Sequence, residues 1–206
     1  MYALVESGSI TKIFTNPKGF VLNNNQYPAD IFSKWTKAEK EAIGIYEIET
    51  DSSNKKDDKW YINTNESYTF ANNKVTRSWG TATAKAHADT LWTEEDKTDG
   101  LIPEGEDVGD IATRGLKYNL IQEIKKQAAG ILADTDWYIV RKADAGTAVP
   151  SSITTHRAAV RTKAAEMETA ITNASDTPAL ETLYTYTEQE DGSVTRPLGE
   201  LPTLED

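Results

Sequence analysis

Cysteine is absent from the 206 residues, and histidine occurs only twice, as His87 and His156. The absence of cysteine excludes disulfide bonds, thiolate metal sites and cysteine nucleophiles. Two histidines are too few for a multi-histidine metal site. We therefore expect neither a metal ion nor a cofactor.

Positive charge is also scarce, because 22 lysines and arginines face 33 acidic residues and leave a net charge of −11. This balance repels a phosphate backbone and disfavours nucleic acid as a partner. No apolar run approaches the ~20 residues that a membrane span requires. The N-terminal residues lack the basic region of a signal peptide, so we expect synthesis in a cytoplasm and no membrane partner.

The hydropathy pattern predicts an α+β protein with its strands at the N-terminal end. Residues 1–80 read as a β-rich module of six or seven strands. Two hairpins are predicted, with turns at residues 6–9 and 23–25, and a third turn falls at Asn72-Asn73. One short helix interrupts the strands, since Thr36 and Glu39 have the spacing of a capping box and Gly44 suits a helix end.

Residues 81–110 are predicted to be an acidic linker or arm. They contain few bulky side chains and many glutamates and aspartates, which is typical of linkers. Leu91 and Trp92 are exceptions within this stretch. Large apolar residues in an acidic segment favour docking onto another surface, so we expect both residues to contact a partner or the chain itself.

Residues 111–186 are predicted to form a helical hairpin or small helical bundle. Each of the two long helices carries one apolar stripe at helical spacing. The stripes are Leu116, Leu120, Ile124, Ala128 and Ile131 in the first, and Ile153, Val160, Ala164, Met167 and Ile171 in the second. Thr135-Asp136 is expected to cap a shorter helix between them. Residues 187–206 read as an extended or frayed tail.

No catalytic constellation emerges from the sequence, and we expect a protein that is not an enzyme. A Ser/His/Asp triad needs a histidine between a nucleophile and an acid, whereas His156 reads as a surface histidine on a helix flank. Glu94, Glu95 and Asp96 form one consecutive run, and glycosidase carboxylates must face each other from separate elements. Asp134 and Asp136 fit helix capping better than calcium binding.

Aromatic residues are concentrated in the predicted strands and leave two interpretations open. They are Trp60, Tyr61, Tyr68, Phe70 and Trp79. Alternating aromatic residues usually form a core or a cross-strand ladder. The same residues, if exposed, would make a stacking platform for sugars.

A stretch of the helical region resembles a tailed-bacteriophage family whose members are called tail assembly chaperones or tail-fibre-associated proteins. The family pattern has a T-D-W segment followed by R-K, a G-T-x-x-P turn and an R-x-x-V/I-R helix. The matching residues, in order, are Leu132–Ala143, Gly146–Pro150 and His156–Arg161. The resemblance covers roughly residues 115–185. A weaker likeness to a module often fused to this family involves Tyr27-Pro28, Trp35, Thr36, Glu39 and Gly44-Ile45.

The resemblance implies a non-enzymatic component of a phage tail or tail fibre that is assembled in the host cytoplasm and resides in the virion. Its partners would be other tail or fibre proteins, and it would be able to form a homo-oligomer. Within the motif, Trp137 is expected to be a large buried anchor between helices. Arg141 lies near a helix C-terminus, where positive charge is favourable, and Arg157 and Arg161 are positioned to reach Asp134 or Asp136. Leu91 and Trp92 complete the set of expected partner-binding residues.

Three alternatives remain open from the sequence. The first is a tail assembly chaperone that is absent from the mature particle. The second is a carbohydrate-binding receptor module that uses the strand aromatics. The third and weakest is an enzyme that acts on cell-wall polymer through Glu94 and Glu95.

Overall fold

The computed structural model describes residues 1–204 and shows the predicted α+β architecture. The chain divides into two compact units, Met1–Thr83 and a second unit that begins at Ala84. Strands dominate the first unit and helices dominate the second. The finer sequence-based boundaries, at residues 80, 110 and 186, remain predictions.

The first unit contains short strands and two short helices. Its elements are β1 (Tyr2–Glu6), β2 (Ser9–Phe14), β3 (Phe20–Leu22), β4 (Asn25–Tyr27), α1 (Ile31–Lys34), α2 (Lys37–Ala42), β5 (Ile45–Thr50), β6 (Tyr61–Ile62), β7 (Ser67–Ala71) and β8 (Lys74–Ser78). A further short strand, β9 (Thr83–Ala84), lies where the two units meet in sequence.

Five of these strands form one sheet in the order β2-β1-β5-β8-β7. All neighbouring pairs are antiparallel except β5 and β8, which run parallel. Successive side chains of a strand point to opposite faces of a sheet. Leu4 therefore joins one apolar cluster, with Phe14 and Ile45, while Ala3 and Val5 join another around Val75.

Local turn chemistry in the first unit confirms the sequence-based expectations. Asn23 and Asn24, and likewise Asn72 and Asn73, adopt positive φ in the hairpin turns, as asparagine readily does. Thr36 and Glu39 form a complete capping box at the start of α2. Gly44 follows that helix with φ of +82°.

Among the described residues, the second unit contains five helices with short strands beside them. Its elements are β10 (Thr90–Leu91), α3 (Glu94–Thr98), β11 (Ile111–Thr113), α4 (Leu116–Ala133), α5 (Asp136–Ala145), α6 (Ser151–Asn173), α7 (Thr177–Tyr184), β12 (Thr187–Glu188) and β13 (Val194–Thr195).

The long helices α4 and α6 pack against each other through the two predicted stripes. All five residues of the α6 stripe are buried, as are Leu120, Ile124 and Ala128 of α4, whereas Leu116 and Ile131 at the ends are half-buried. Burial of one such aliphatic side chain contributes about 1.5–3 kcal/mol. The α4–α6 contact is thus the hydrophobic core of the second unit.

The segment before α4, which the sequence suggested as a linker, makes specific contacts within the second unit. The first two N–H groups of α4, on Leu116 and Lys117, donate to the carbonyls of Ala86 and His87 at 3.0 Å each. Asp89 Oδ1 accepts from the N–H of Gly115 at 2.7 Å, and Asp89 also pairs with Arg114. The Gly115 N–H and the Arg114 guanidinium hold the pKa of the Asp89 carboxyl below its usual value.

Residues 187–204, the described part of the predicted tail, form the β12–β13 hairpin and return to the helices. Leu198 is buried, and its N–H donates to the Leu183 carbonyl at 3.0 Å. The Pro and Gly content of this stretch suggested an extended end. Residues 205 and 206 of that predicted tail lie outside the described residues.

Two glycines of the second unit offer a matched test of the contact at the start of α4. A Cβ on Gly115 would lie 2.3 Å from the Ala88 carbonyl carbon and oxygen, which are backbone atoms that cannot rotate away. We expect Gly115→Ala to lower the free energy of unfolding by about 1–3 kcal/mol because it overpacks this joint.

Gly130→Ala is the control, because a Cβ there meets nothing within 4 Å in the interior of α4. Alanine should raise stability by about 0.5–1 kcal/mol at that position. Urea unfolding of both variants measures the difference. Equal stability of Gly115→Ala and the wild type would contradict the described approach of Ala88.

Candidate functional site

Helix α5 carries the tryptophan of the motif, and it exposes its large apolar side chains. Trp137 is 51% exposed and Val140 is 65% exposed, and Ile139 is exposed as well. None of the ten residues of α5 is buried. An isolated helix of this length is only marginally stable in water, so contacts at its ends must hold it in place.

Arg157 of α6 makes those contacts. It is only 6% exposed, and its Nη1 donates to the Leu132 carbonyl and to Thr135 Oγ1, both at 2.6 Å. Its Nη2 lies 2.8 Å from Asp136 Oδ1. One guanidinium thus binds the end of α4, the connection and the first turn of α5.

This arrangement confirms one expected ion pair and corrects two other expectations. Arg157 pairs with Asp136, as predicted. The expected ion pair of Arg161 with Asp134 or Asp136 is wrong, because Arg161 is exposed and forms no ion pair within residues 1–204. Its Nη1 donates to the Arg157 carbonyl at 3.5 Å. Thr135 precedes α5, but its hydroxyl does not cap the helix, because it donates to Leu132 and accepts from Arg157.

The predicted burial of Trp137 is also wrong. The packed surfaces of α4 and α6 cover each other, and α5 begins past the end of α4, which leaves about half of the Trp137 surface exposed. His156, expected on the surface, is 8% exposed instead. It lies one turn after Ile153 and one turn before Val160, in line with the buried stripe through which α6 packs against α4.

Trp137, Tyr138 and Arg141 form a compact aromatic–cation group on α5. The ring centroids of Trp137 and Tyr138 are 3.9 Å apart. The Arg141 guanidinium carbon lies 4.6 Å from the Trp137 ring centroid, one helical turn away, and 5.4 Å from that of Tyr138. Such contacts contribute about 0.5–1 kcal/mol at exposed sites. Arg141 thereby stabilises the outward conformation of the indole ring.

Leu91 and Trp92 occupy a separate part of the second unit, in and after β10. Trp92 is half-buried and tied to its own segment, since its N–H donates to the Asp110 carbonyl at 2.9 Å and its indole N–H donates to Glu106. Leu91 is 51% exposed and faces Ile111 of β11 as its cross-strand partner. Trp92 therefore anchors the chain to itself, whereas Leu91 is available to a partner.

The strand aromatics do not form an open platform for sugars. Trp60, Tyr61 and Trp79 are all buried in the first unit. Phe70 is half-buried and packs against Tyr46, with 4.8 Å between the ring centroids. Of the two interpretations that the sequence left open, these residues therefore fit the one in which they form part of the core.

The carboxylates of the predicted arm serve local structure. Asp96 accepts from the backbone N–H and hydroxyl of Thr93 and completes a capping box at α3, and these hydrogen bonds lower the pKa of its carboxyl. Glu94 and Glu95 lie exposed in the first turn of the same helix. Within residues 1–204 no three histidine or acidic side chains are grouped to hold a metal ion. The described helices include none with the length and apolarity needed to span a membrane.

Comparison of the chain with family models, with curated proteins and with solved structures gives no match in any of the three.

The candidate site is therefore the exposed face of α5, supported from behind by Arg157. Sequence reasoning found Trp137, Arg141 and Arg157, but it missed the exposed Ile139 and Val140 and the role of Leu132 and Thr135. A signal for the exposed residues was present, since four consecutive large side chains, Trp137–Val140, surround a helix and cannot all be buried by one neighbour.

Removal of the Arg157 guanidinium should destabilise the second unit. Arg157→Met leaves the Leu132 carbonyl and the Thr135 hydroxyl without their charged donor, and we expect a loss of about 1.5–3 kcal/mol in the free energy of unfolding. Arg157→Lys should recover only part of this lost free energy of unfolding, because an ammonium group cannot reproduce the planar set of guanidinium donors. Arg161→Met, one turn away and exposed, should change stability by less than about 0.5 kcal/mol. Urea unfolding compares the three, and equal losses at both positions would contradict the assigned role.

Trp137→Ala should have little effect on stability, because the indole ring is half exposed and its ring contacts are with Tyr138 and Arg141 on the same helix. We expect a change below about 1 kcal/mol, in contrast to the 3–5 kcal/mol that truncation of a buried tryptophan costs. Thermal unfolding followed by circular dichroism measures it. A loss near the larger value would show that the ring is covered in solution.

Proposed function

We propose that the protein is a non-enzymatic component of a phage tail or tail fibre that acts through protein–protein contacts. The observation that carries this proposal is the exposure of the motif residues on α5, with Trp137 and Val140 directed away from the core. Tryptophan and arginine are the residues most enriched among energetic hot spots of interfaces. In this chain they stand next to each other on a helix with no buried residue.

The hydrogen bonds of Arg157 that fix the position of α5 favour the same function. A binding helix loses less conformational entropy on association when it is already held in its bound geometry. The buried Arg157 provides this hold at three acceptors on both sides of the α4–α5 connection. A folded, solvent-exposed aromatic face is therefore ready to bind before any partner arrives.

A tail assembly chaperone that leaves the finished particle is the second candidate. It would use the same α5 surface, because a chaperone also binds polypeptides through exposed apolar side chains. The two candidates differ only in whether the contact persists in the mature virion. Particle composition distinguishes them.

A carbohydrate-binding receptor module receives less support. Its proposed stacking residues Trp60 and Trp79 are buried and cannot present a ring face to a sugar. The cell-wall enzyme alternative rests on Glu94 and Glu95, which lie side by side in one turn of α3 and do not face each other across a cleft. Neither alternative has an exposed surface of large apolar side chains comparable to that of α5.

Quantitative mass spectrometry of purified phage particles tests the proposal. Particles from the strain that encodes this chain should contain it at a fixed ratio to the other tail proteins, with the major capsid protein as the reference and host ribosomal proteins as the contamination control. Absence from particles, with the chain still present in the lysate, would favour the chaperone and overturn the structural component.

Incorporation should also depend on α5. The double variant Trp137→Ala/Val140→Ala is expected to reduce the particle-bound fraction at least tenfold, because loss of hot-spot side chains costs about 2 kcal/mol or more. Val194→Ala is the matched control, since Val194 is equally exposed elsewhere in the second unit. Normal incorporation of the double variant would show that another surface makes the contact.

A further inference from the structure

Two exposed apolar patches of opposite electrostatic character lie in the second unit. The first, the α5 patch, consists of Trp137, Val140, Arg141 and Lys142. The second, the arm patch, consists of Leu91 and Ile111 with the neighbouring acidic residues Glu94 and Glu95. Each patch exposes large apolar side chains, which is typical of a surface that binds another protein.

The α5 patch combines an aromatic surface with positive charge. Trp137, Val140 and Arg141 share one face of the helix at spacings of three and four residues. Lys142 is exposed beside them. Asp136, the acid in the first turn of α5, is paired with Arg157, so Asp144 is the acid within α5 that opposes the two cations.

The arm patch combines aliphatic surface with negative charge. Leu91 and Ile111 are cross-strand partners of β10 and β11, so their side chains lie on the same face of this two-stranded sheet. Residues 94–110, which connect the two strands, hold eight acidic residues and one lysine. Glu94 and Glu95 are exposed in the first turn of α3, three and four residues after Leu91.

We propose that the α5 patch of one copy of this chain binds the arm patch of a second copy. The apolar parts can cover each other, and Arg141 and Lys142 would then approach Glu94 and Glu95. Both patches belong to the same compact unit, and both remain exposed within one copy. The contact is therefore intermolecular.

Such a contact joins two different surfaces, so it is heterologous. Heterologous contacts close into rings or continue as filaments, since an open assembly keeps one unused α5 patch and one unused arm patch at its two ends until it closes. The inference rests on the proposed function in taking α5 as a polypeptide-binding surface. It names a second copy of the chain, itself a component of the tail, as the polypeptide that occupies that surface.

Sedimentation velocity of the purified full-length chain tests the inference. Concentrations from about 1 μM to about 1 mM cover the affinities expected of a small interface. We expect species larger than a dimer to accumulate as concentration rises, and to diminish at about 1 M salt, where the Debye length is about 3 Å.

Charge reversal provides the sharpest form of the test. Arg141→Glu/Lys142→Glu should weaken association at least tenfold, and so should Glu94→Lys/Glu95→Lys, because each variant alone brings like charges together. An equimolar mixture of the two variants should associate again, since every contact between unlike copies then pairs opposite charges. Lys126→Glu, an exposed reversal on α4, is the matched control and should associate as the wild type does. Circular dichroism must first show that each variant is folded.

Three results would overturn the inference: a monomer throughout the concentration range, association that neither double variant weakens, or a mixture that does not regain association. These results are independent of the particle experiment. A chain that is monomeric in solution but stoichiometric in virions would refute the self-contact and keep the proposed function. A chain that self-associates as described but is absent from virions would do the reverse.

Discussion

The geometry of the candidate surface depends on the buried guanidinium of Arg157. Helix α5 has no fully buried side chain, so apolar burial contributes little to holding it on the second unit. Its position depends on charge-assisted hydrogen bonds from one arginine to Leu132, Thr135 and Asp136. Apolar surface that would ordinarily stabilise the fold is thus left free for binding.

Elsewhere in the second unit, too, apolar packing and polar contacts stabilise different parts of the structure. The α4–α6 interface is apolar, whereas the connections are fixed by polar contacts to the backbone. Ala86 and His87 accept from the first two N–H groups of α4, and Asp89 accepts from the N–H of the residue before the helix. Thr177 Oγ1 donates to the Lys85 carbonyl at 2.6 Å. Backbone contacts of this kind need small residues, and the Gly115 position shows why. A stretch without bulky side chains can therefore be an integral part of a folded unit.

Local sequence patterns predicted this structure more accurately than patterns whose outcome depends on tertiary contacts. The Thr36–Glu39 capping box, the asparagine turns and the stripes of α4 and α6 depend on residues close in sequence or within one helix, and the structure confirms them. The sequence placed Arg157 and Arg161 within reach of Asp134 or Asp136, and the structure shows only the pair of Arg157 with Asp136 among the described residues. The burial of Trp137 was wrong because helical periodicity reports that a side chain is apolar, not that another element covers it.

The sequence by itself determined the α+β class, the order of the principal elements and the apolar stripes through which α4 and α6 pack. It could do so because turn, cap and periodicity signals depend on local backbone geometry. Only the tertiary structure decided that Trp60 and Trp79 are core residues, that His156 is buried and that Trp137 faces solvent. Exposure depends on what lies opposite a side chain in space, and in the second unit α6 covers α4 while the face of α5 has no cover.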